Sequence, residues 1–348
     1  MTTALELNSI TFGYSHKLLL NDISLAIETG QIGCLLGPSG CGKSTLLRLI
    51  AGFEKPQSGT IKIADLLVAS SKHTTPPQDR QVGMLFQDLA LFPHLTVADN
   101  IAYGLHGTQA SIREQRIKEL LELCRLSGFE NRYPHQISGG QRQRVALARA
   151  MAPKPRLILL DEPFSSVESG LQTELIQEVK TMLKANQSTA LWVTHSLDEA
   201  FAVADQMGVV LGGQLLQWDK PQTLFDQPAS PAVIQFLKNA FMITAQCISA
   251  GQVTTSLGQF SLTNPQSFKS GESLLLAIPK KHLRLVSNQK PNARIETAVY
   301  QGGHFRLTAT INQQDLIQWH HPEPLNPGAE VTLAVDPQNS FKGFKSTF

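Results

Sequence analysis

The chain has 348 residues, room for about two domains at the usual 100–200 residues each, which excludes a small scaffold dependent on disulfides or metal. Thirty Lys and Arg against 28 Asp and Glu leave a net charge of +2, too balanced for a protein whose main partner is a polyanion, so no nucleic acid is expected. No stretch approaches the roughly 18–20 apolar residues of a membrane span, and residues 1–10 lack the layout of a signal peptide. Cys34, Cys41, Cys124 and Cys247 form no CxxC pair, so reduced thiols in the cytoplasm are the expectation.

Over the first 235 or so residues, short β-type runs alternate with helical periods, the pattern of an α/β sheet with crossover helices. Buried strands are expected at 31–36, 82–86, 157–160, 190–194 and 207–211, each short, apolar and closed by Gly, Asp, Gln or His, with function at their C-terminal ends. Residues 96–152 read as helices only, at 97–105, 112–126 and 141–152, which makes them a helical subdomain inserted into the sheet domain. From about residue 241, runs at 273–278, 293–300, 305–311 and 331–335 are separated by Pro and Gly, the grammar of a small all-β barrel. The expected division is therefore 1–240 and 241–348, with 221–231 leading into the linker.

Gly37-Pro38-Ser39-Gly40-Cys41-Gly42-Lys43-Ser44-Thr45 fits GxxxxGK[ST] between an apolar strand and a helical segment, the context that identifies a P-loop. Its glycines let backbone N–H groups turn inward around phosphates at a positive helix end. Lys43 is placed to reach the β and γ phosphates of ATP, and Ser44 a Mg2+ ion. The GxGxxG of dinucleotide folds is absent. A second apolar run ends in Asp161-Glu162, which supplies an acid for Mg2+ and a neighbour to polarise the attacking water.

Ile137-Ser138-Gly139-Gly140-Gln141 opens a helix with a hydroxyl and unhindered Gly N–H groups, a second anion cradle. With this element the chain resembles the ATP-binding cassette (ABC) ATPases of membrane transporters, whose signature sequence these residues match. The resemblance implies that the P-loop of one copy and the signature of another close on ATP in a homodimer. It also implies a Q-loop role in Mg2+ and water binding for Gln87, a γ-phosphate contact for the switch histidine His195, and adenine stacking for Tyr14. Glu168 stands where the family usually has Asp in the D-loop, which leaves that cross-dimer contact the least secure.

The β region is similar to the OB-type regulatory domains of importer ATPases, and residues 80–105 are especially similar to the ferric-ion importer ATPases. That likeness implies an ATPase on the cytoplasmic face of the cell membrane, bound to a permease and through it to a solute-binding protein, moving ferric iron. Importers of polyamine, sugar or another small solute, and a soluble ABC switch with no membrane partner, are the alternatives. Cys41 is expected simply to fit its loop, the scattered histidines to hold no metal, and Lys280, Lys281 and Arg284 to form a solvated strand edge.

Overall fold

The apolar runs of the first half assemble into one sheet whose strand ends line up. In the computed structural model, which describes residues 2–15, 17–165, 169–286, 290–311 and 315–345, the order is Gln214–Asp219, Gln206–Leu211, Ile32–Leu36, Ala190–Thr194, Leu157–Asp161 and Val82–Leu85. The last five run parallel, and only Gln214–Asp219 is antiparallel to its neighbour. Ile32–Leu36 and Ala190–Thr194 are buried throughout, as parallel strands covered on both faces must be. Leu36 pairs with Thr194, Asp161 with Val193 and Leu85 with Leu160, so the loops that follow emerge along one edge.

A second sheet, unassigned from sequence, is antiparallel: Lys17–Glu28, Thr3–Tyr14, Ser58–Ile63 and Leu66–Ser70. Its first two strands slip register several times, with Ser9 and Asp22 at φ 50° and 56°, and such bulges break the period-two alternation that would reveal a strand. Leu5, Ile10, Ile27 and Ile61 from this sheet, Leu46, Leu47 and Ile50 from helix Lys43–Ala51, and Leu35, Leu159 and Val193 from the parallel sheet share one core. The P-loop helix is thereby anchored in apolar packing along its length.

The inserted region holds helices Val97–Ala102, Ala110–Leu123 and Gly139–Met151 and the single turn Pro134–Gln136. The first helix stops at Ala102 rather than near 105, ahead of Gly104 and of Gly107 at φ 80°. The third starts at Gly139 rather than 141 because Ser138 and Gln141 form a reciprocal capping box. Among the described residues no helix is long and apolar enough to cross a membrane.

Two compact units, Met1–Leu224 and Phe225–Phe348, divide the chain. The boundary expected at 240/241 lies inside the second unit, because Ile234 of helix Pro231–Leu237 packs with Ala277 and Phe344 of the β region. There Ala240–Ser249, Gln252–Thr255, Gly258–Leu262, Ser340–Lys345 and Ser273–Pro279 close a barrel. Arg284–Val286, Glu330–Ala334, Ala293–Tyr300, Phe305–Ile311 and Asp315–His321 form a further sheet that shares the barrel's core. Lys280–His282 is a single helical turn rather than a strand edge, and Lys281 is paired with Asp226 at 3.0 Å.

Candidate functional site

The loop after Ile32–Leu36 owes its path to glycine. Gly40 and Gly42 sit at φ 79° and 101°, a region that side chains with a Cβ rarely enter, and a Cβ on Gly42 would come within 2.5 Å of Leu20 Cδ2. A Cβ on Gly37 would collide with the Val210 carbonyl. Lys43, only 4% exposed, donates from Nζ to the carbonyl oxygens of Gly37 and Pro38 at 2.8 and 2.9 Å. Cys41 is buried with its thiol 3.7 Å from that ammonium, the fitted residue that the sequence suggests. Pro38, Ser39 and Thr45 lie in the same loop and helix start.

Ser44 and Asp161, two residues assigned to Mg2+, meet directly: the Ser44 hydroxyl donates to Asp161 Oδ1 at 2.8 Å. Burial raises the Asp161 pKa above the ordinary carboxylate range; the Ser44 bond and Lys43 oppose that and Glu162 adds to it. A hydroxyl and a carboxylate side by side are the hard-oxygen donors Mg2+ prefers, few enough to leave positions for phosphate oxygens and water. The residues therefore fit a phosphate-bound Mg2+, and among the described residues no group of three or more His, Cys, Asp and Glu forms an all-protein metal cage.

Glu162 follows in a left-handed conformation, φ 42°, and its backbone N–H donates to Val193 O at 3.0 Å. This turn brings its carboxylate to 3.1 Å from His195 Nδ1. An ionised carboxylate only accepts, so Nδ1 carries the proton of that bond. Gln87 lies two residues beyond Val82–Leu85 and donates from Nε2 to Ser165 Oγ at 3.3 Å, while Ser165 N–H donates to Glu162 O at 3.2 Å. Ser165 is a member of the network that sequence patterns did not single out. Glu168 lies outside the described residues.

Tyr14 is half exposed, packs edge-on against Phe12 with ring centroids 4.9 Å apart, and donates its hydroxyl to Glu54 at 3.1 Å. In the signature segment the Ser138 hydroxyl accepts from Gln141 N–H at 3.2 Å and Gln141 Oε1 accepts from Ser138 N–H at 2.9 Å. Gly139 and Gly140 have ordinary φ, and a Cβ there would stand 3.8 and 3.5 Å from its nearest neighbours, Arg142 and Leu175. Among the described residues nothing crowds a side chain at either place.

Three side chains, Gln143, Arg149 and Arg80, tie these parts together through contacts invisible in the sequence. Gln143 of the signature helix donates to Pro163 O beside Glu162. Arg149 of the same helix donates to Ala90 O and Leu89 O at 2.6 and 2.8 Å and lies over the Phe92 ring at 5.4 Å, gripping the segment after Gln87. Arg80, 2% exposed, donates to Leu49 O and Ile50 O at 2.7 and 2.8 Å, closing the free carbonyls at the end of the P-loop helix.

The chain is similar to known proteins over most of its length. The ABC transporter family model matches residues 20–165. The Fe(3+) ions import ATP-binding protein FbpC of Mannheimia succiniciproducens is 39% identical over 93% of this chain and 92% of its own length. Its namesake in Photorhabdus laumondii is 37% identical over 97% and 96%. Among solved structures, the dimeric ATP-binding cassette MJ0796 in a post-hydrolysis state with ADP and Pi superposes with TM-score 0.53 at 28% identity, covering 62% of this chain and 98% of that one. CbiO1 of Clostridium perfringens, part of an ABC transporter complex, gives 0.60 at 24% identity over 68% and 95%. The chain belongs to the ATP-binding proteins of the ABC transporter family.

Proposed function

We infer that the chain is the ATP-hydrolysing subunit of a ferric iron importer, acting as a homodimer on the cytoplasmic face of the membrane beneath a permease served by a solute-binding protein. The observation that carries the chemistry is the meeting of Ser44 with Asp161 and of Glu162 with His195 along one sheet edge beside the P-loop. The cargo rests on the near full-length similarity to Fe(3+) import ATP-binding proteins. The ion would pass through the permease, so no residue of this chain reads it.

In this reading the backbone N–H groups of residues 37–45 cradle the phosphates of ATP, and Lys43 exchanges the Gly37 and Pro38 carbonyls for phosphate oxygens. Ser44 and Asp161 would hold Mg2+ with help from Gln87, and the ion would supply charge neutralisation for the phosphates. Glu162 accepts the proton of the attacking water. His195 orients that carboxylate through Nδ1, and its Nε2 is the ring atom left to meet the γ-phosphate. Tyr14 stacks on adenine.

Ser138, Gly139, Gly140 and Gln141 face the γ-phosphate held by a second copy. Support comes from the two glycines: the described residues leave room for a methyl group at both, which leaves a ligand or a second copy to ask for the bare backbone. Differential binding of ATP to the closed pair is what drives the permease. Gel filtration of Glu162→Gln with ATP and Mg2+ tests this: a stable dimer is expected, and a monomer would contradict it.

A further inference from the structure

Two residues past Gln87 the backbone takes a course that ordinary side chains avoid. Leu89 and Ala90 stand in succession at φ 62° and 42°, the left-handed region that costs free energy for any residue with a Cβ. Neither is Gly, Asn or Asp, the types that enter it most readily, and Ala90 is exposed. The Leu89 N–H closes the turn onto Phe86 O at 2.9 Å.

The strained pair is held by a side chain from another element. Arg149, in the last turn of helix Gly139–Met151, donates from its two terminal nitrogens to Ala90 O and Leu89 O at 2.6 and 2.8 Å. A planar fork serves two successive carbonyls when the chain aims both to one side, which an extended segment does not do. The same guanidinium lies over the Phe92 ring at 5.4 Å. Phe92 is itself pinned, because buried Asn100 accepts from its N–H at 2.9 Å and donates to its carbonyl at 3.1 Å. Among the described residues Arg149 makes no ion pair, so its donors serve carbonyls and a ring.

At the other end of the segment Gln87 donates from Nε2 to Ser165 Oγ at 3.3 Å. Helix Gly139–Met151 reaches that loop too, since Gln143 donates to Pro163 O. The helix that Ser138 caps thus grips the loops on both sides of the Asp161-Glu162 strand end. We propose that Arg149 is a positioning residue for ATP hydrolysis: by holding Leu89 and Ala90 in the left-handed turn it sets the direction of Gln87, which makes the signature helix and Gln87 one mechanical unit. Released toward negative φ, the chain between Phe86 and Phe92 would change course and Gln87 would lose its place beside Ser165. A misplacement of about 1 Å is enough to lower a rate about 10²-fold. The inference rests on the reading of Gln87 as a side chain that helps Ser44 and Asp161 to hold Mg2+.

The test uses the full chain and two readouts. Hydrogen exchange without nucleotide reports the segment itself, and steady-state ATPase assays with titrated ATP and Mg2+ report the consequence. Arg149→Gln should speed exchange at residues 86–92 about tenfold or more. It should lower kcat about tenfold or more with KM for ATP within about twofold of wild type, and raise the Mg2+ needed for half-maximal rate. Arg149→Lys keeps the charge without the fork and should show most of the loss. Gln87→Ala should also lower kcat, and adding Arg149→Gln to it should lower kcat little further, since a residue that acts through another is silent once the other is gone. Ala90→Gly removes strain from the turn; alone it should leave kcat within about twofold, and in Arg149→Gln or Arg149→Lys it should recover part of the lost rate.

Unchanged exchange and kcat in Arg149→Gln, beside a slow Gln87→Ala, would overturn the proposal alone. A Gln87→Ala variant with wild-type kcat and Mg2+ dependence would overturn the reading of Gln87 and the proposal with it. Losses that multiply when Gln87→Ala and Arg149→Gln are combined, or a fall in melting temperature and kcat that Ala90→Gly does not relieve, would make Arg149 a packing residue and overturn the proposal. If Arg149→Gln does not fold, Arg149→Lys takes its place in each comparison.

Discussion

His195 Nδ1 stands 3.1 Å from Glu162 Oε2, although 33 residues separate them and each closes a different strand. The register that pairs Asp161 with Val193 places the two strand ends side by side, and the left-handed turn at Glu162 aims its carboxylate across to the ring. The relationship binds the residue that would take a proton from water to the one that holds it in place.

Removing the carboxylate charge should therefore separate binding from hydrolysis. Glu162→Gln keeps the size and the ability to accept from His195 but is no base, and kcat should fall about 10²–10⁴-fold with ATP affinity retained. His195→Ala should lower kcat as well, while KM stays near the wild-type value. Steady-state ATPase assays with equilibrium nucleotide binding check both; equal loss of binding and turnover would assign the pair to binding alone.

Lys43 gives a different outcome. It is buried against two carbonyls of its own loop, and Lys43→Ala should lower ATP affinity about 10²-fold or more. A variant that binds ATP normally but turns over slowly would place Lys43 at the transition state only.

Asp161 links the site to pH. Its pKa is raised in the folded chain from the ordinary 3.8, so the folded state holds the proton more tightly than the unfolded one. Its contribution to stability is thus largest at low pH and is lost as pH rises through the window from 3.8 to the raised value. Asp161→Asn should raise nucleotide-free thermal stability at pH 7 and abolish Mg2+-dependent hydrolysis, as read by melting curves and ATPase assays. In the wild type, Mg2+ dependence should weaken on acidification at a pH above that of an ordinary aspartate.

The signature glycines separate what the fold needs from what a partner copy needs. Since a methyl group fits at Gly139 and Gly140, Gly139→Ala and Gly140→Ala should leave stability within about 1 kcal/mol of wild type. ATP-driven dimerisation and hydrolysis should nonetheless be lost. Unfolded variants would show that the glycines serve the chain's own packing.

Arg80 carries the opposite signature. Its guanidinium, held down to a pKa of about 10 by burial, satisfies Leu49 O, Ile50 O, Thr75 O and Thr74 Oγ1. Arg80→Ala should cost more than about 3 kcal/mol in urea unfolding. ATP binding would fail with it, because the carbonyls left open belong to the P-loop helix.

What the sequence made legible was local. Strand Ala190–Thr194 and strands Ala293–Tyr300 and Phe305–Ile311 fall where apolar runs placed them, since a continuous or alternating pattern fixes burial directly. The phosphate loop was readable because backbone geometry there demands glycine at fixed spacing. The N-terminal sheet escaped because bulges in Thr3–Tyr14 and Lys17–Glu28 break the alternation. Ser165, Arg149, Arg80 and Gln143 escaped because their partners are backbone carbonyls or a polar side chain distant in sequence, and a carbonyl leaves no mark on residue type. The motif residues were thus visible in the sequence, while the contacts that hold them in shape were not.

The most direct test of the central claim is transport itself. Tagged protein would be purified with its co-isolating membrane chains, reconstituted in proteoliposomes with ATP on the side of this subunit, and assayed for uptake of radiolabelled Fe3+ and of spermidine. Uptake of iron that requires ATP and disappears with Glu162→Gln is the expected result. Uptake of spermidine alone would keep the importer and overturn the cargo, and purification with no membrane chain at all would contradict the transport role.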